Sequence, residues 1–168
     1  IGGGSSVNGL WAIRGMAEDY EAWAGMGAAG WGWADLLPCF RRIERDTDFA
    51  GEAHGSDGRL PVRRHRPEQW PPFCRALGDA AAAMGFPYIA DMNADPRDGV
   101  CAVPMNADGG QRISSAMAYL DEATRRRPNL EIRARTLARR VVFDGRRAVG
   151  VEMRTPQGDL TLHARRIV

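Results

Sequence analysis

The chain has 168 residues, 44% of them hydrophobic and 26% charged, with a formal net charge of +2 at pH 7. That is one domain's worth of globular sequence, long enough to bury a substantial core, and its charge is too small to draw nucleic acid or an anionic membrane surface. No run approaches the roughly 18 apolar residues of a bilayer span, and no basic segment followed by an apolar one opens the chain.

Ile1 stands where an initiator Met would, and Gly2, Gly3 and Gly4 follow it. Residues 1–15 read as a glycine-rich loop running into a short apolar stretch. Glycines let backbone approach a ligand closely and turn several N–H donors toward an anion. Ser5 and Ser6 add hydroxyls and Asn8 an amide. By residue type alone the run suits a phosphate or heterocycle cradle and a flexible tether equally, because it is neither GxGxxG nor GxxxxGK[ST].

Residues 17–26 predict a helix with Glu18 and Asp19 at its positive end and Tyr20, Trp23 and Ala24 on one face. After "GAAGWGW", residues 34–45 predict a second helix, apolar at Leu36, Leu37, Phe40 and Ile43, with Pro38 in the first turn and Arg41, Arg42 and Arg45 toward the end. Residues 46–58 read as a surface loop, and 58–64 as a short strand that Pro61 confines to a sheet edge. Residues 70–85 predict a helix, with prolines at its start and Gly85 at its stop. Residues 86–113 are too rich in Gly, Pro, Asn and Asp for a regular element, and Pro104 weakens "CAVPMNA" as a strand. Residues 114–127 predict a helix capped by Ser114 or Ser115. The last forty residues alternate or run β-branched between the turn signals "DGR" and "TPQGD". They predict an antiparallel meander of three or four strands, the first of them "NLEIRAR". The fold class is therefore α+β, without the βαβ alternation of a parallel sheet, and "RRIV" stops in mid-strand. Both ends read as cut from a longer protein.

The side-chain inventory is plain. All 23 basic residues other than His are Arg, which with the abundant Ala and Gly reads as GC-rich codon usage and a bacterial source. "RRHR" at 63–66 and "RRR" at 125–127 lack interleaved aromatics and read as solvated faces. Cys39, Cys74 and Cys101 are odd in number and form no CxxC pair, which fits buried free thiols in a reducing compartment. His54 reads as turn-forming or exposed, His65 as solvated and His163 as structural, so none is assigned a catalytic role. The adjacent acids Glu18–Asp19 and Asp121–Glu122 diverge by about 100° on a helix and make poor carboxylate pairs. The five tryptophans read as packing residues, with Trp11 the exception to watch.

"IGGGSSVNGLWAIRGMAEDYE" resembles the first signature of the glucose–methanol–choline family of FAD-dependent oxidoreductases, through Ile1, Gly2, Gly3, Gly4, Ser5, Val7, Asn8, Ala12, Gly15 and Glu21. The resemblance continues through "EDYEAWAGMGAAGWGWADLLPCFRRIER", "HGSDGRLPV" and "GGQRISSAMAYLDEATRRRPNLEIRARTLARRVVFDGRRAVGVE", and so covers essentially the whole chain, with choline dehydrogenase, alcohol dehydrogenase and pyridoxine oxidase among the similar members.

The resemblance implies that Gly2, Gly3, Ser5, Asn8, Gly9, Leu10 and Trp11 wrap the flavin and that backbone near Ala138 holds the adenine. Val7 stands where some members attach flavin through His, which implies non-covalent FAD. It also implies an apportionment: 1–45 as flavin-wrapping loop and following helices, 46–128 as part of the substrate-binding domain, 129–168 as the meander of the FAD-binding domain. The implied reaction oxidises the CH–OH group of a small-molecule alcohol by hydride transfer to flavin, with no metal and no nucleic acid as partner. The expected location is cytoplasmic, or peripheral to the inner membrane. The family's pyrophosphate-binding βαβ unit and its catalytic His residues lie outside this chain, so no catalytic residue is assigned here and the isolated chain is expected to be inactive. A structural or binding module that cannot hold FAD alone, and a flavin-containing hydroxynitrile lyase, remain alternatives.

Overall fold

Short elements joined by long connections make up the computed structural model, which describes Ile1–Val168 as two units, Ile1–Glu122 and Ala123–Val168. The first unit opens with a 3₁₀ turn at Gly3–Ser6, then α1 (Ala17–Gly25) and α2 (Trp33–Ile43). Aromatic rings join them: Tyr20 stacks on Trp33 with ring centroids 5.7 Å apart, and within α1 it meets Trp23 edge-on at 5.4 Å. Helix α2 starts one residue before the predicted bound, so Pro38 lies in its second turn and not in the first. There it removes a hydrogen-bond donor from the ladder. The helix ends at Ile43, because Glu44–Asp46 leave it as strand β1.

Strand β1 pairs in parallel with β2 (Leu60–Val62). Ladder pairing of β2 is with β1 alone, so Pro61 stands on an edge strand, as expected. Just past that strand the chain bonds to the 104–106 segment through Arg63, whose N–H donates to Met105 O at 3.0 Å and whose carbonyl accepts from Met105 N–H at 2.9 Å. These bonds fall at Arg63, so the N–H that Pro61 lacks is not needed. Met105 in turn faces Trp11, flanked by Ala12 N–H to Pro104 O at 2.8 Å and Asn106 N–H to Leu10 O at 2.9 Å. A narrow ribbon thus runs from β1 through β2 and Met105 to the N-terminal loop. Its pieces are too short to show a period in the sequence.

A 3₁₀ turn at Pro67–Gln69 precedes α3 (Pro72–Ala83), which Gly85 ends with φ +90°. Between 86 and 113 lie two small features: β3 (Tyr88–Ile89) parallel to β4 (Val100–Cys101), and a hairpin of β5 (Ala107–Asp108) and β6 (Gln111–Arg112). Gly109 and Gly110 both take positive φ in its turn. The helix predicted over 114–127 breaks into α4 (Ser115–Tyr119) and α5 (Glu122–Arg125). Ser114 caps the first, accepting Met117 N–H at 3.3 Å.

The second unit is the predicted meander, with three strands: β7 (Leu137–Asp144), β8 (Arg147–Thr155) and β9 (Gly158–His163). "NLEIRAR" is not one of them and stays irregular. No helix of either unit is long and apolar enough to cross a membrane.

The expected substantial apolar core is absent. Four hydrophobic side chains are buried (Val62, Ile89, Ala102 and Ala116), against six polar or charged ones: Glu44, Asp46, His54, Arg64, Asn93 and Ser114. Trp11, Trp23 and Trp31 are exposed, although the Trp23 and Trp31 rings pack on each other with centroids 6.0 Å apart. Cys39 and Cys74 are exposed and Cys101 half-buried, so the expectation of buried thiols fails for the first two.

Candidate functional site

The N-terminal loop is built by its own polar groups. Gly2 takes φ +96° and Gly3 φ +55°, and a Cβ on Gly2 would meet Ser6 Oγ at 2.3 Å. Ser5 spends its hydroxyl inside the protein: Oγ donates to Gly2 O at 2.5 Å and accepts Ser115 N–H at 2.9 Å, while Arg112 donates to Ser5 O at 3.1 Å. Its work here is to fasten the glycine turn to the start of α4. Asn8 Oδ1 accepts Leu10 N–H at 2.9 Å, closing an Asx turn that carries Leu10 to φ +69°. Left-handed backbone at a non-glycine residue costs energy and persists where neighbours over-determine it.

The outer side of this turn is free. Val7, Asn8, Gly9 and Trp11 are exposed, Trp11 by 67%, and the N–H groups of Gly9 and Trp11 donate to no group of the chain. Glycine-rich backbone with free donors stands beside a large exposed aromatic. Seven of the eight residues expected at the flavin are thus brought together on one loop. The eighth, Ala138, lies in the second unit, exposed and paired with Met153 next to an irregularity between Ala138 and Arg140 that loosens the ladder.

Beside Trp11 opens a cavity of about 540 Å³, lined among others by Trp70, Cys74, Leu77, Val103 and Met105. Apolar walls with few polar groups are the usual make-up of a small-molecule chamber. His65 also lines it and is exposed, as expected. Cys101 lines the wall as well, and burial pushes its thiol pKa up, against an opposing pull from Arg64.

Behind the loop lies a cluster that sequence reasoning missed. His54, expected to be turn-forming or exposed, is buried, and its side chain is only 2% exposed. Its Nδ1 faces Glu44 Oε1 at 2.9 Å and Asp46 Oδ2 at 3.2 Å, and its Nε2 faces Asp91 Oδ2 at 2.6 Å. Arg64, read as part of a solvated run, is buried, with Nη1 2.8 Å from Asp46 Oδ2 and Nη2 3.2 Å from Asp91 Oδ1. Its guanidinium carbon sits 4.6 Å over the Phe49 ring. Arg14 pairs with Glu44 Oε2 and donates to Ala53 O at 2.6 Å. Asp48 Oδ2 stands 3.8 Å from Arg64 Nη1, so four carboxylates meet two arginines and one imidazole. Buried charge persists only when paired in this way.

Local sequence explains how the cluster forms. Glu44 and Asp46, two apart on β1, point the same way, as alternate strand residues do. The "HGSDG" loop lies against the end of α2 and against β1: Asp46 N–H donates to Gly55 O at 2.8 Å and Gly58 N–H to Glu44 O at 2.9 Å. Only glycine fits there, since a Cβ at Gly55 would stand 1.9 Å from Arg41 O and one at Gly58 2.2 Å from the Ile43 carbonyl carbon. Ligand-capable atoms of Glu44, Asp46 and His54 lie within 4.8 Å of one another. The two arginines already supply the positive charge a cation would bring, so this donor set is spent on ion pairs.

"GMGAAG" at 25–30 has GxGxxG spacing but joins two helices, with no strand before it, so it lacks the setting of a dinucleotide fingerprint.

Comparison with known proteins identifies the family. The family model for GMC oxidoreductases matches residues 1–168. The chain is 37% identical over 168 residues to the oxygen-dependent choline dehydrogenase of Brucella anthropi, covering all of this chain and 30% of that protein. Its structure is similar to pyridoxine 4-oxidase from Mesorbium loti, with TM-score 0.86 and 31% identity over 95% of this chain and 31% of that one. It is also similar to an FAD-dependent oxidoreductase from Chaetomium thermophilum, with TM-score 0.82 and 25% identity over 96% of this chain and 30% of that one. The chain thus spans about a third of the length of these relatives, and it belongs to the GMC oxidoreductase family.

Proposed function

We propose that the protein carrying this chain oxidises the CH–OH group of a small alcohol to an aldehyde or ketone, using non-covalently bound FAD. The observation that carries this reading is the free outer side of the Asn8–Trp11 turn within a chain whose whole length matches the family. FAD, when bound, supplies the hydride acceptor.

The chain's own residues do the rest. Gly2, Gly3 and Ser5 shape the turn; Asn8 and Gly9 bring backbone close to the ring; the free N–H groups of Gly9 and Trp11 present donors to its polar edge. The cavity beside Trp11 takes the organic body of the alcohol and excludes water from it. Ala138, by its loosened ladder, offers backbone to the adenine. His54 is committed to carboxylates on both ring nitrogens, so it does not serve as the base.

We assign 1–45 to the flavin-wrapping segment, 46–128 to the substrate-binding domain and 129–168 to the FAD-binding domain. The 168-residue chain alone holds FAD weakly or not at all, because no parallel strand–helix–strand unit stands in it to cradle a pyrophosphate. Absorbance tests both statements: the full-length protein should carry a flavin spectrum after gel filtration with FAD, and the isolated chain should emerge colourless. A colourless full-length protein would remove the reading.

A further inference from the structure

The course of residues 8–14 is fixed at a distance, by two paths of contact that start on one ring. From His54 Nδ1 the first path reaches Glu44 Oε1 at 2.9 Å, and the other oxygen of Glu44 pairs with the Arg14 guanidinium. From Nε2 the second reaches Asp91 Oδ2 at 2.6 Å, and Asp91 Oδ1 accepts Asn93 N–H at 3.2 Å. The Asn93 amide then grips the loop twice, donating to Ala12 O at 3.0 Å and accepting Arg14 N–H at 3.1 Å. The circuit closes on itself through His54, Glu44, Arg14, Asn93 and Asp91. Asn93, Glu44 and the His54 ring are buried, and Asp91 is half-buried.

We propose that His54, protonated on both nitrogens, is a positioning residue that holds the Asn8–Trp11 turn in its flavin-facing shape. The proposal rests on reading that turn as flavin-facing. Only the doubly protonated ring donates at both ends, to Glu44 and Asp46 from Nδ1 and to Asp91 from Nε2. Both paths end at residues 12 and 14, just past Leu10 with its φ of +69°. A strained residue of that kind needs anchors on both sides. The Asn8 turn supplies the near one; on the far side the bonds to Pro104 and Asn106 hold residues 10 and 12, and the His54 circuit holds residues 12 and 14.

Hydrogen exchange in the full-length protein without flavin tests the proposal. His54→Gln, which donates from one end only, should speed amide exchange across residues 8–14 by about tenfold, the effect of one lost charge-assisted hydrogen bond, and leave the β7–β9 meander unchanged. Asn93→Ala cuts one path, leaves the ion cluster whole, and should give the same local rise; it decides the matter if His54→Gln does not fold. With FAD bound, His54→Gln should also displace the visible flavin bands, which a residue that only stabilises the fold would not do. Unchanged exchange at 8–14 in the folded variants overturns the proposal, and so does faster exchange beside an unaltered flavin spectrum. Faster exchange in a protein that never takes up FAD supports the positioning role and sinks the flavin reading instead.

Discussion

His54 Nε2 and Asp91 Oδ2 lie 2.6 Å apart inside the first unit, while the other ring nitrogen faces Glu44. A neutral imidazole would turn a lone pair toward one of these carboxylates. Nitrogen-15 correlation spectra should therefore show protons on both ring nitrogens of His54. His54→Ala should cost about 3–5 kcal/mol in urea unfolding, the loss found when one partner leaves a buried ion cluster.

The glycines of "HGSDG" give a sharper contrast. Gly58→Ala places a methyl 2.2 Å from the Ile43 carbonyl carbon and 2.3 Å from Glu44 N, both backbone atoms that cannot step aside. It should cost about 3 kcal/mol or more. Gly25→Ala meets nothing within 4 Å at the end of α1, and should be neutral or gain up to about 1 kcal/mol. Thermal melts of the two variants check this.

The thiols should separate by reactivity. Iodoacetamide attacks thiolate. Burial raises the Cys101 pKa, whereas Cys39 and Cys74 are exposed. Timed alkylation at pH 8 followed by peptide mass spectrometry should modify Cys39 and Cys74 first, and equal rates at all three would contradict the burial of Cys101.

On the meander, a hydrogen bond from Arg140 holds the Glu152 carboxyl below its ordinary value of 4.5. A depressed carboxylate stabilises the fold above its unfolded pKa, and that contribution is lost as pH falls through the folded value. The pair is exposed, so salt screens it. Carbon-13 titration should find Glu152 returning toward its ordinary value in Arg140→Gln, and in high salt.

Val7 is 82% exposed and its isopropyl group offers no nucleophile to a flavin methyl. Acid precipitation of the loaded full-length protein should leave the yellow colour in the supernatant. A yellow pellet would show a covalent tether.

Long patterns were legible in the sequence and short ones were not. Tyr20, Trp23, Phe40 and Ile43 announced α1 and α2 by their spacing, and β7–β9 by alternation between "DGR" and "TPQGD". The ribbon through β1, β2 and Met105 has pieces of three residues or fewer, too short to show a period. The His54 circuit was hidden for another reason. Its members are ordinary charged and polar residues, and the link from Arg14 to Asn93 spans 79 positions. Its one local trace is the pair of glycines after His54, which pack against backbone. The N-terminal loop was legible through its family pattern, whereas the strain at Leu10 and the internal use of the Ser5 hydroxyl emerge only from the fold.

The central claim is that the Asn8–Trp11 turn serves a flavin that oxidises alcohols. Its most direct test is anaerobic mixing of the FAD-loaded full-length protein with choline, pyridoxine and benzyl alcohol in turn, while the visible flavin band is watched. Bleaching by at least one of the three is the predicted result. A full-length protein that retains FAD, with its band unchanged by all three, would contradict it.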